Sequence, residues 1–493
     1  MRFLAGTVII AAIAVATLGS QGWVPSVPRA WDDEAVRTME LPLAGLGAPA
    51  HHVSSEYYYQ TPTSRIPKTY PVYAPGREPE GYLDWLKTQV PEDAVTFSSL
   101  KTQEEWIRAG QLVFDGAFNP SGGPPAERLR EFSGSPLYPR PARDGTYPWV
   151  RYWVVKKGDV RAFFTKCGSC HTRVLEDGTV VPGAQGNLYE GYWQAAQVQE
   201  GATSPEQWRD ARRRQYDAPW LSPSPVEPFL KATADEAAAF ERAVIGGVRF
   251  RVGTSHLYPP KIPDLIGVAD RRYFDATGLV RHRSIGDLMR YAALVDGLES
   301  LADFNGFRPF GPLPSPSTRT RMSDEALYAL ALYVYSLQPP ENPNRPSDAS
   351  ASRRGEQVFR GEGCVACHVP PLYTSNQLTP AAGVAVTAEM RSTDAVLARS
   401  VGTDPRLTLH SRKGTGFYRV PSLKGVWYRG PFEHNGSVAT LDDWFNPARL
   451  NSGFSPTGFR GGGIEHRAVP GHEFGLRLSA DDKLALIAFL KTL

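Results

Sequence analysis

The sequence predicts a mainly α-helical chain built of two like units with long irregular loops, preceded by an extended N-terminal arm. Three observations carry this. The pentapeptide Cys167-Gly-Ser-Cys170-His171 returns as Cys364-Val-Ala-Cys367-His368. Ahead of each lies a similar hexapeptide, Ala109-Gly110-Gln111-Leu112-Val113-Phe114 and Arg354-Gly355-Glu356-Gln357-Val358-Phe359. Each unit then closes on an apolar stretch of helical period, 326–337 in the first and 484–493 in the second.

Two cysteines three positions apart, followed at once by histidine, form the attachment pattern of a c-type haem. Each thiol joins one vinyl group of the porphyrin, and the adjacent imidazole takes the iron as its proximal ligand. All four cysteines of the chain fall in these two motifs, so none is left for a disulfide. A redox dithiol or half a zinc site does not require histidine after both pairs. The expectation is two covalently bound haem c groups. Cys167, Cys170 and His171 hold the first; Cys364, Cys367 and His368 hold the second.

Residues 1–20 begin with one positive charge, continue apolar to Leu18 and reach Gly19-Ser20. This reads as an export signal, cleaved or kept as a membrane anchor at the N-terminus. Export agrees with the haem motifs, because c-type haem is attached outside the bacterial cytoplasm, and the expected location is the periplasm. Residues 21–100 are rich in Pro, Tyr and Ser and show no helical period before 82–90. They read as the arm, with Tyr57-Tyr58-Tyr59 as packing residues.

Residues 101–340 and 350–493 are then two cytochrome c-like haem domains. Ser323 precedes Asp324 and Glu325 at the head of one closing helix, and Ser479 precedes Asp481 and Asp482 at the other. A capping hydroxyl followed by acids suits a helix N-terminus. Pro339-Pro340 stops the first helix and opens a linker over 338–352. Phe359 lies five positions before Cys364, whereas Phe114 lies 53 before Cys167, so the first unit carries a large insertion. The 46 glycines and 43 prolines imply long loops. A net charge of +3 leaves no electrostatic footprint for nucleic acid.

The sixth position of each iron separates function classes. A ligand there makes an electron-transfer haem; an open position binds dioxygen or peroxide. No methionine follows Met390, so the second unit has none after its haem motif and Met390. Its candidate metal ligands are His472, set between glycines in Pro470-Gly471-His472-Glu473-Phe474-Gly475, and His434. His410 and His466 read as surface residues. For the first haem, His256, His282, Met289 and Met322 stand in weak contexts. Phe304, Phe307 and Phe310 read as core or as the lining of an apolar pocket. The expectation is an open first iron, with His171 as the residue that holds the catalytic metal.

The segment Pro431-Phe432-Glu433-His434-Asn435-Gly436-Ser437-Val438-Ala439-Thr440-Leu441 resembles a signature of the dihaem cytochrome c peroxidase superfamily. That superfamily includes the methylamine-utilisation dihaem oxidase. A longer resemblance is to its rubber-oxygenase-like branch, through 367–374, 420–427 and 471–475, together with the wide separation of the haem motifs. It spans about 105–493 and leaves the arm unexplained. The resemblance implies a reactive N-terminal haem and a six-coordinate C-terminal relay haem. In typical peroxidases the relay haem carries methionine, and this chain has none after Met390; in the rubber-oxygenase branch it is bis-histidine, which fits His368 with His472. The family's distal acid has no match that can be placed here. The expected activity is peroxide reduction, with a small redox protein or other donor as partner. Oxygenation of an apolar substrate and pure electron transfer are the alternatives.

Overall fold

The computed structural model describes residues 23, 25–41, 49–116, 123–132, 135–138, 140–344, 349–388, 390 and 395–493. The expected export segment 1–20 lies outside these. No helix among the described residues is long and apolar enough to cross a membrane. Helix accounts for 34% of the structure and strand for 12%. The expectation of a mainly helical chain therefore holds in part: the insertion before Cys167 forms a sheet.

The repeated hexapeptides form a repeated joint. In the first unit the leading helix Gln103–Phe114 starts at a capping box between Thr102 and Glu105 and lies against the closing helix Asp324–Ser336. In the second, Ala349–Gly361 lies against Ala480–Lys491, whose Asp482 N–H donates to the Ser479 hydroxyl. The glycine of each hexapeptide sits where the two backbones touch. A Cβ on Gly110 would stand 2.0 Å from the Ala329 carbonyl oxygen, and one on Gly355 2.0 Å from that of Ala485. One turn on, Phe114 meets Tyr333 at 5.3 Å between ring centres and Phe359 meets Phe489 at 5.5 Å. Gly355→Ala should therefore force the helices apart at a cost of about 3 kcal/mol. A denaturant midpoint within experimental error of wild type would show that the contact yields freely.

The insertion and the arm together make a three-stranded antiparallel sheet, in spatial order β1 (Thr69–Tyr73), β2 (Thr146–Lys156), β3 (Asp159–Phe164). Lys156 pairs with Asp159 across Lys157 and Gly158, and Gly158 takes φ +86°, a left-handed conformation that glycine adopts without steric cost. β1 is an extended piece of residues 21–100, but the arm is not extended throughout. It also holds the short helices Asp33–Arg37, Ser55–Gln60 and Tyr82–Thr88, the first two capped by Asp32 and Ser54. The first two are too brief to show a period and are set by their caps, whereas Tyr82–Thr88 falls where the sequence first shows a helical period. The arm tyrosines pack as expected. Tyr58 is fully buried and stacks on Trp31 at 5.1 Å, while the Tyr59 hydroxyl donates to Asp324 at 3.0 Å.

The sheet buttresses the first haem motif. Trp149 on β2 is fully buried, and its indole N–H donates to the Thr172 carbonyl at 2.6 Å. Its own carbonyl accepts from the Thr165 N–H at 2.9 Å. The second unit docks on the first through backbone carbonyls of its glycine-rich loop. Gln185, which also donates to Gly247 of its own unit at 2.9 Å, donates to Pro431 at 3.1 Å, and Arg173 donates to Gly430 at 2.9 Å. The arm adds a charged clasp: Lys413 lies 2.8 Å from Glu40 and 3.6 Å from Glu299.

Candidate functional site

A cavity at the junction of the units is lined by Cys364, Cys367 and His368 on one side and by His472, Trp444 and Phe474 on another. His368 Nδ1 lies 3.1 Å from the Tyr373 carbonyl, and burial holds the ring's pKa below the ordinary histidine value. A neutral imidazole bonded through Nδ1–H leaves Nε2 as a free donor pair. The His472 ring faces it, 6.3 Å away between ring centres. That spacing suits one metal ion held between two imidazoles, at about 2 Å from each nitrogen.

Burial lowers the His472 pKa to about 4, with His368 and Arg449 acting in the same direction. The buried His472 Nδ1 has no hydrogen-bond partner. A neutral histidine with an unmet nitrogen, opposite a second neutral histidine beside two cysteines, fits a covalently attached haem.

The loop carrying His472 is pinned. Gly471 takes φ +85° and His472 itself φ +49°, and the His472 N–H donates to Val401 at 2.6 Å. A Cβ on Gly471 would lie 2.6 Å from the Gly402 backbone, so only glycine fits. Arg449, fully buried, donates to four carbonyls: Trp444 at 2.9 Å, Val469 at 2.7 Å, Gly471 at 2.9 Å and His472 at 2.7 Å. Trp444 meets the His472 ring edge-on at 5.1 Å. Neither Arg449 nor Trp444 was visible as a site residue in the sequence. Arg449 works through distant backbone carbonyls, which leave no side-chain pattern to read.

His434 lines the same cavity but is engaged elsewhere. Its ring lies 4.8 Å from Tyr418, and its Nδ1 contacts the Glu433 carboxylate. His466 is exposed and bonds Ser455 at 3.0 Å. The structure thus brings His368 and His472 together and leaves His434 on the wall.

The first motif repeats the proximal arrangement. The Cys167 N–H donates to the Phe114 carbonyl at 3.0 Å, which ties the motif to the leading helix. Gly168–His171 follows as one helical turn between that helix and the sheet, and Thr172 returns to extended backbone. His171 Nδ1 lies 3.0 Å from the Pro263 carbonyl. Burial lowers the His171 pKa to about 4, against the opposing effect of that bond, and pushes the Cys167 thiol up to about 12.

The candidate sixth ligands for this centre are held by other contacts. His282 bonds the Arg271 carbonyl at 2.8 Å and Tyr335 at 2.6 Å. His256 bonds the Phe240 carbonyl at 3.2 Å and packs on Phe250 at 4.3 Å. Met289 and Met322 are buried in the core shared by the arm and the helices. Phe304 and Phe307 pack on Trp220 at 5.6 and 5.7 Å, and Phe310 is partly buried. The charges that bear on His171 come from Asp264, Arg271 and Arg251.

No family model matches the chain. It is 29% identical over 164 residues to the cytochrome-c peroxidase IdrP2 of Denitromonas iodatirespirans, a match covering 29% of this chain and 40% of that protein. It is 30% identical over 113 residues to cytochrome-c peroxidase IdrP1 of the same organism, covering 19% and 30%. The chain is thus similar to two cytochrome-c peroxidases over part of its length. It spans less than half the length of either. Among solved structures, Kuenenia stuttgartiensis hydrazine synthase overlaps 61% of this chain and 92% of that one, at 16% identity and a TM-score of 0.31. A MauG-like protein associated with microbial copper homeostasis overlaps 59% and 89%, at 18% identity and a TM-score of 0.31.

Proposed function

We propose that this protein is a periplasmic dihaem c-type oxidoreductase of peroxidase-like type. In this reading Cys167, Cys170 and His171 hold the haem at which peroxide or dioxygen is activated. Cys364, Cys367 and His368 hold a relay haem with His472 as its sixth ligand, and a small redox protein or other donor supplies electrons. The observation that carries the reading is an asymmetry between two otherwise matching sites. His472 stands 6.3 Å from His368 with an unmet nitrogen, whereas the histidines and methionines that were candidates opposite His171 are held by other contacts.

Haem bound at these motifs supplies the redox couple and the metal that takes up peroxide or dioxygen. The chain's own residues fix its surroundings. His171 and His368 each tie Nδ1 to a backbone carbonyl, which sets the tautomer that presents Nε2. Arg449 and Gly471 hold the His472 loop in the one conformation that aims the ring across the cavity.

Low-temperature EPR of the ferric protein, repeated after one-electron reduction, tests the reading. The expected spectrum has one low-spin signal and one high-spin signal, the latter altered by peroxide or small anions. Two low-spin signals that persist after partial reduction would sink the enzymatic reading and leave an electron carrier.

A further inference from the structure

The cavity containing His368 and His472 has a basic wall at the junction of the two units. Lys261, Arg271, Arg419 and Arg429 all line it. Arg429 is matched by an acid, with Nε 2.6 Å from Asp264, which also accepts from the Tyr428 hydroxyl at 3.0 Å. Glu433, another acid of the cavity, is engaged by His434. The remaining three cations reach carbonyls at most. Arg271 is 9% exposed; its Nη2 donates to Ile266 at 2.9 Å, while its buried Nη1 has no partner. Arg419 Nε reaches the Asp275 carbonyl at 3.3 Å. Among the described residues, no carboxylate forms an ion pair with Lys261, Arg271 or Arg419.

Buried cations without partners are costly, and a buried guanidinium N–H with nothing to donate to adds to the cost. Burial and mutual repulsion accordingly pull the Lys261 pKa down to about 8 and that of Arg271 to about 9. A carboxylate removes the problem, because its two oxygens match the guanidinium fork. We propose that Lys261, Arg271 and Arg419 form a carboxylate-binding site at the junction of the two units. Its ligand is either a propionate of the haem in this cavity, which rests on the function proposed above, or a small free carboxylate.

The test uses full-length protein matured with haem, as wild type, Arg271→Gln, Arg271→Lys and Lys261→Met. A pyridine haemochrome spectrum first counts the haems, and a count below two overturns the dihaem reading without touching the site. The potential of the low-spin haem and the thermal response to malonate are then measured.

If propionate fills the site, Arg271→Gln favours the oxidised form about tenfold, equivalent to about 59 mV for one electron. Lys261→Met shifts it the same way, Arg271→Lys restores part of the shift, and malonate has no effect on any of them. If a free carboxylate fills it, malonate stabilises wild type saturably but not Arg271→Gln, and the potential stays in place. Both results support the site. Two haems with an unchanged potential and no malonate response in wild type or either neutral variant overturn it. Should Arg271→Gln fail to fold, Lys261→Met decides between the same outcomes.

Discussion

Replacing His472 by alanine should convert the haem proposed at Cys364, Cys367 and His368 almost completely from low-spin to high-spin, visible in both the optical and EPR spectra. The ring opposite His368 belongs to His472, and no methionine follows Met390 to replace it. His434 does line the cavity, but it is engaged by Tyr418 and Glu433. Its backbone is held as well, since the His434 carbonyl accepts from the Lys261 N–H at 2.8 Å. His434→Ala should therefore leave the low-spin signal in place. The two variants read against each other: a low-spin spectrum that survives in His472→Ala and disappears in His434→Ala would exchange the roles of these residues. Thermal stability in haem-loaded His472→Ala should fall only modestly, because the Arg449 clamp holds the loop through its backbone and not through the imidazole.

The largest stability loss is expected at Glu40, far from either haem motif. Its carboxylate lies 2.8 Å from Lys413 Nζ and 3.0 Å from His52 Nε2, with side chains only 13%, 7% and 3% exposed. Glu40→Gln leaves a buried lysine without its main partner and should cost about 3 to 5 kcal/mol at pH 7. The pH dependence follows from linkage. Burial pushes the Glu40 pKa upward, but Lys413 and His52 outweigh it and hold the carboxyl well below the usual carboxylate range. A depressed folded pKa means that the unfolded chain binds the proton first as pH falls. The contribution of Glu40 is thus complete above its unfolded pKa of about 4.5 and declines as pH drops below that value. Wild type and Glu40→Gln should differ most at neutral pH and converge in acid, as read from urea midpoints across pH. A constant gap between pH 7 and pH 3.5 would rule out the ionised clasp as the source of the effect. Because Glu40 lies in the arm and Lys413 in the second unit, Glu40→Gln should also make residues 25–41 more open to limited proteolysis.

How much of this was legible in the sequence depended on range. The paired hexapeptides, the serine caps and the two closing helices are local patterns, and each corresponds to a helix or a cap in the fold. The glycine in each hexapeptide was visible as a repeat, but its reason is a helix crossing and appears only with Ala329 and Ala485 beside it. The sheet was missed because β1 lies in the arm and pairs with Arg151, Tyr152 and Trp153 of β2, across the leading helix. Short segments rich in tyrosine and proline carry too little periodicity to announce a strand. Arg449 and the basic wall were missed for another reason: their partners are backbone carbonyls or a ligand, and neither leaves a motif.

The two cysteine–histidine motifs, their order and the helices that bracket each of them could be read from the residues alone. Those follow from covalent spacing and from periodicity within a few turns. Which histidine faces His368, and which cations share its cavity, emerged only with the folded chain. Both are distances between loops far apart in the chain, set by glycine-permitted close approaches and by buried arginines holding carbonyls, and a distance of that kind has no local signature to read.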